Sequence, residues 1–142
     1  MYKAIIIDDE PWTILDIEQT FALEDMGFEI IGSFRSPLKA LPIIISKKPE
    51  LIITDIRMPG MTGLELIQKV RSHHLNCEFI IVSGYNDFAY AKEAIAYGVT
   101  GYCLKPLDPA ETASCLERAR TALNLRNALP ASNGYIDDTF ES

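Results

Sequence analysis

Short apolar, β-branched runs alternate five times with longer amphipathic segments along this chain. That alternation is the sequence form of an α/β parallel sheet. The runs predict strands at 3–7, 29–34, 51–54, 79–82 and 101–104, and their near-continuous hydrophobicity suits strands covered by helices on both faces. A first helix is predicted from Pro11, where a missing N–H costs nothing, to a stop before Gly27. Ser36 followed by Pro37 predicts the N-cap of a second. A third is expected from near Gly63 to about His73, with Leu64, Ile67 and Val70 inward. The fourth carries Phe88, Ala91 and Ile95 at helical spacing and stops at Gly98. The fifth opens at Pro109 and buries Leu116, Ala119 and Leu123. Pro42 falls inside the second helix, where it removes a hydrogen bond, so a kink or an early break is expected there.

Periodicity ends near Ala128, and Pro130–Gly134 has the punctuation of a linker. Residues 1–128 therefore read as one domain, and 129–142 as an acidic tail or the start of an interdomain linker. With 142 residues, 48% of them hydrophobic and 23% charged, the composition is that of a soluble globule with a sizeable core. The longest apolar runs are too short to cross a bilayer, and Asp8, Asp9 and Glu10 interrupt any secretory signal. A cytoplasmic location is expected. Thirteen basic against 20 acidic residues give a net charge of −7, which repels nucleic-acid backbones. DNA binding by this chain alone is not expected.

Chemistry collects where the strands end. In an open parallel sheet, ligands bind in the crevice outside the carboxyl ends of the strands. The first strand ends in Asp8, Asp9 and Glu10, the third in Asp55, the fourth in Ser83 and the fifth in Lys105. An aspartate after a strand often only caps the next helix, and a single lysine is usually solvated. The joint placement of these residues on one edge favours a site. Crowded carboxylates repel and need a cation, and an oxygen-only donor set favours a hard ion, with Mg²⁺ the natural candidate.

The segments Asp8-Asp9-Glu10, Thr54-Asp55-Ile56-Arg57-Met58-Pro59-Gly60, Val82-Ser83-Gly84-Tyr85 and Tyr102-Cys103-Leu104-Lys105-Pro106 together resemble the response-regulator receiver family. The likeness covers roughly residues 3 to 124, in order and at suitable spacing. The stretch Ser83–Pro106 is similar to receivers that precede AraC-type DNA-binding domains. The resemblance implies a doubly wound, flavodoxin-like sheet of five parallel strands in the order 2-1-3-4-5 with five helices. It implies a phosphoacceptor in a two-component system, with Asp55 taking the phosphoryl group from a sensor histidine kinase and an output that controls transcription. By the same resemblance Asp8, Asp9, Asp55 and the backbone carbonyl of Arg57 would hold Mg²⁺, and Glu10 would reach it through water. Lys105 would pair with a phosphoryl oxygen. Ser83 would bond another and Tyr102 would turn inward as Ser83 moves. The Lys105–Pro106 bond would be cis.

Two other functional classes fit this residue set less well. A Mg²⁺-dependent aspartyl-phosphate phosphatase or phosphotransferase usually carries a second aspartate two residues after the nucleophile. Arg57 stands there, so a turnover enzyme is not expected. A degenerate receiver serving as a scaffold is disfavoured by the intact Asp8, Asp9, Asp55, Ser83 and Lys105 set. The resemblance further implies an output surface on the fourth helix, fifth strand and fifth helix, with at most weak homodimers because Gly101 replaces a common aspartate. Tyr90 falls off the Phe88–Ala91–Ile95 face, which makes it an exposed candidate contact. Trp12 reads as lining the rim of the acidic cluster. His73 and His74 read as solvated groups at a helix end. Cys77, Cys103 and Cys115 lack metal or redox spacing and read as buried or half-buried thiols.

Overall fold

The computed structural model describes residues 1–84 and 88–128, apart from the side chains of Phe88 and Ala91. Five strands alternate with five helices: β1 (Tyr2–Ile7), α1 (Pro11–Thr20), β2 (Phe28–Phe34), α2 (Pro37–Lys47), β3 (Leu51–Thr54), α3 (Gly63–Ser72), β4 (Glu78–Ser83), α4 (Phe88–Ala96), β5 (Gly101–Leu104) and α5 (Pro109–Ala128). The strands form one sheet in the order β2-β1-β3-β4-β5, and every pairing is parallel. The expected fold is the observed one. The tail expected at 129–142 lies outside the described residues.

The two-residue period of a strand divides the core into two layers. Ile5, Ile7, Ile52, Phe79 and Ile81 face α2, α3 and α4. Ala4, Ile6, Leu51, Ile53, Ile80, Val82 and Cys103 face α1 and α5. Both faces of the central strands are thus dry, and their polar ends are left at the sheet edge. A bulge shifts the register between Ala4 and Ile5, where β1 meets the edge strand β2.

Three elements differ from expectation. Helix α1 stops at Thr20, well short of Gly27, and Phe21 turns to extended backbone. Phe21 and Leu23 are both buried, and residues two apart point to nearly opposite sides of a helix. Leaving the helix lets both enter the core. Helix α2 runs through Pro42 without a break. Pro42 and Leu38 are exposed, so the carbonyl that loses its donor is open to water. Ser36 is the N-cap residue of α2, but its side chain makes no capping bond.

Helix α4 turns a different face inward. Ile95 is 72% exposed and Ala94 is fully buried, while Tyr90 and Tyr97 pack against the α2–α4 core layer. The inner stripe is Tyr90–Ala94–Tyr97, not the one through Ile95. Small Ala94 admits the helix close to the sheet, and the tyrosine hydroxyls keep polar partners: Gln68 Nε2 bonds the hydroxyl of Tyr97. Tyr90 is consequently half-buried, and the Arg57 guanidinium lies 5.2 Å from its ring centroid.

Candidate functional site

Asp8 follows β1 directly and is fully buried, and Asp55 follows β3 and is 6% exposed. Their positions are held by backbone. Asp55 N donates to Ile7 O at 3.1 Å, tying the ends of the two strands together. Glu10 N donates to Asp8 Oδ1 at 2.9 Å. Ile56 N donates to Asp55 Oδ1 at 2.6 Å. Asp9 lies beside them, and one carboxylate oxygen each of Asp8, Asp9 and Asp55 can be chosen so that all three lie within 4.8 Å of one another.

The lysine closes the cluster. Lys105 Nζ is 3.1 Å from Asp8 Oδ2 and 3.2 Å from Asp55 Oδ2, so one ammonium bridges two buried carboxylates. Burial lowers its proton affinity, but attraction to Asp55 and Asp8 outweighs that and raises its pKa above the ordinary value. Burial pushes the Asp8 carboxyl up, more than the bonds from Glu10 and Lys105 pull it down. Three carboxylates facing one ammonium leave the pocket short of positive charge. A hard divalent ion suits that deficit, since the donor set is oxygen only.

Ser83 ends β4 and is fully buried. Tyr102, on β5, is half-buried against the core layer of α2–α4. The Lys105–Pro106 peptide is cis. Arg57 is exposed, as are Glu10 and Trp12. His73 is the C-cap of α3, and its Nδ1 lies 2.8 Å from Lys69 O. Tyr85 lies outside the described residues.

One residue of the site was not singled out from sequence. Gly63 opens α3, and its N–H donates to Ile56 O at 2.7 Å. A Cβ at Gly63 would stand 2.2 Å from the backbone oxygen of Asp55. The loop after β3 is pinned there, and the Thr62–Glu65 capping box fixes the turn of helix beside it. A glycine at a helix start is a weak sequence signal, because only the fold reveals which backbone it must admit.

The fold and this edge match known proteins. A family model described as the response regulator receiver domain matches residues 4–117. The chain is 41% identical over 117 residues to the uncharacterized transcriptional regulatory protein YesN of Bacillus subtilis, which covers 82% of this chain and 32% of YesN. It is 37% identical over 142 residues to the transcriptional regulatory protein HptR of Staphylococcus aureus, covering 99% of this chain and 56% of HptR. The receiver domain of AraT, a response regulator from Geobacillus stearothermophilus, superposes with a TM-score of 0.82 at 28% identity, over 89% of this chain and 98% of that one. A two-component transcriptional regulator AraC from Clostridium phytofermentans gives 0.81 at 28% identity, over 91% and 100%.

The chain belongs to the response regulator receiver domain family. It spans about a third of YesN and just over half of HptR.

Proposed function

We propose that this domain is a phosphorylation switch that carries its phosphate on Asp55 with Mg²⁺ alongside, and that it reports to an output controlling transcription. The observation that carries the reading is the cluster of buried Asp8 and Asp55 with half-buried Asp9 at the C-terminal edge of the sheet, the two buried carboxylates bridged by Lys105. Asp8, Asp9, Asp55 and the Arg57 carbonyl would hold the ion. When bound, it offsets charge on the transferring phosphoryl oxygens.

The step itself is an in-line displacement. An Asp55 carboxylate oxygen bonds phosphorus as the P–N bond of a sensor kinase's phosphohistidine breaks, and the imidazole leaves with the electron pair. The Ile56 N–H on Oδ1 orients the nucleophile. Lys105 lets go of Asp55 Oδ2 to meet a phosphoryl oxygen, which its flexible stem allows. Ser83 donates to another phosphoryl oxygen, and Tyr102 turns into the space that Ser83 vacates. The affected surface is α4–β5–α5, where Ile95 is exposed and Tyr90 is half-buried. Phosphate-dependent self-association through this surface is weak at most, because Gly101 supplies no charge for a cross-interface pair.

Residues 1–128 form the receiver, and 129–142 begin a linker to a further domain. The alignment with HptR, which runs through 99% of this chain, supports that extension. The setting is cytoplasmic, with a histidine kinase as donor; no described helix is long and apolar enough to cross a membrane.

Acetyl phosphate with Mg²⁺ tests switch against enzyme. One phosphoryl group per chain, with no sustained hydrolysis of p-nitrophenyl phosphate, is the expected result. Continuous ester turnover would overturn the reading.

A further inference from the structure

Cys103 on β5 and Cys115 on α5 are fully or almost fully buried. Their sulfurs are 3.4 Å apart. A disulfide needs about 2.0 Å between sulfurs, so only a small side-chain movement separates this pair from a bond. The surroundings are shaped to bring Cys115 there. Gly101 has no side chain, and a Cβ at that position would stand 2.5 Å from Cys115 Sγ. The space it leaves is taken by Cys115 and by Arg118, whose Nη2 donates to Cys115 Sγ at 3.4 Å.

We propose that Cys103 and Cys115 form a reversible dithiol–disulfide site, oxidised by a hydroperoxide, that fastens β5 to α5. Cys115 is the attacking thiol. The bond from Cys103 and the charge of Arg118 hold the Cys115 thiol below its ordinary value in spite of burial, while the bond to Cys115 and burial push Cys103 up. A thiolate is the nucleophile in such chemistry. Arg118 is an exposed residue whose guanidinium also bonds Thr100 O and Ser114 Oγ, so the charge beside the sulfur is held in place.

The chemistry balances in two steps. Cys115 sulfur bonds the terminal oxygen of the hydroperoxide, the O–O bond breaks, and the departing oxygen leaves as an alcohol (or water) with the thiol proton. Cys103 sulfur then attacks the resulting sulfenic acid, its proton leaves with the displaced hydroxide as water, and the S–S bond forms. Two thiols lose two electrons and one hydroperoxide gains them. In a reducing compartment such a bond is transient and suits sensing. Both cysteines pack in the core layer of α1 and α5, while Tyr102 packs against the opposite layer.

Cys77 is a built-in reference. It packs in the opposite core layer, and burial pushes its thiol up to about 11. The test treats the reduced full chain with hydrogen peroxide, then denatures it and alkylates with N-ethylmaleimide before intact-mass and peptide analysis. The alkylated thiols should fall threefold, from three to one at Cys77, with loss of two hydrogens, a linked Cys103–Cys115 peptide, and full reversal by dithiothreitol. Cys115→Ser should yield no linked peptide. Three alkylated thiols after treatment, sulfinic or sulfonic acid without a link, or a link through Cys77 would overturn the proposal. The wild-type peptide map decides the matter even if the variant does not fold.

Discussion

Gly63→Ala should damage the site from beneath. The added methyl would stand 2.2 Å from the Asp55 backbone oxygen and 3.1 Å from Ile56 Cα. That oxygen cannot simply withdraw, because Asp55 N is bonded to Ile7 O and Thr54 Oγ1 donates to Asp55 O at 3.0 Å. The start of α3 must therefore move away, straining the 2.7 Å bond from Gly63 N to Ile56 O. Overpacking of this kind costs roughly 1–3 kcal/mol, against a helix-propensity gain for alanine of at most about 1 kcal/mol. A net loss of about 1–2 kcal/mol is expected, read as a lower urea midpoint at unchanged slope. Because the displaced backbone carries the phosphoacceptor, phosphorylation by acetyl phosphate should slow as well. Gly84→Ala is the control for stability: its Cβ would meet Lys105 Cδ at 3.9 Å, an ordinary contact, and it should change stability by no more than about 0.5 kcal/mol. Wild-type stability and rate in Gly63→Ala would refute the claim that this glycine admits the Asp55 backbone.

Gly101→Ala should destabilise by roughly 1–3 kcal/mol, and a double-mutant cycle with Cys115→Ala should recover part of that loss, since the clash is with Cys115 Sγ; purely additive effects would contradict the packing. Lys105 has a raised folded pKa, so in metal-free protein its stabilisation is complete below its ordinary value of 10.5 and is lost as pH rises through the higher folded value. Lys105→Met should remove that alkaline loss, and an unchanged stability–pH curve would count against the bridge to Asp8 and Asp55. Titration with Mg²⁺ should change the emission of Trp12, which follows the acidic cluster at the start of α1, and Asp9→Ala should move the curve to higher Mg²⁺; an unmoved curve would remove Asp9 from the metal site.

The sequence was most legible where polar residues end apolar strands. Asp8, Asp55, Ser83 and Lys105 could be assigned to one edge because a parallel sheet leaves its strand ends together, and the structure brings Asp8, Asp9, Asp55 and Lys105 into contact range. Helix faces were less legible. Ile95 looked like core and Tyr90 like surface, yet α4 turns its tyrosines, half-buried, toward the core and leaves Ile95 in solvent, because apolarity alone does not set the phase of a short helix on a sheet. The end of α1 depended on Phe21 and Leu23 both finding core, a tertiary demand that helical periodicity does not contain. Cys103 and Cys115 are separated by a strand end, a loop and a helical turn, so no spacing rule joins them. Gly63 and Gly101 matter through the atoms they admit, which lie on other segments.

Everything proposed for this switch turns on Asp55 being the phosphoacceptor. The most direct measurement is to incubate the chain with acetyl phosphate and Mg²⁺, reduce the acyl phosphate with borohydride, and locate the resulting homoserine by peptide mass spectrometry. Homoserine at position 55 in the wild type, with no phosphoryl gain in Asp55→Asn, is the predicted result. Equal phosphorylation of Asp55→Asn, or a reduced residue at Asp8 or Asp9 instead, would contradict it.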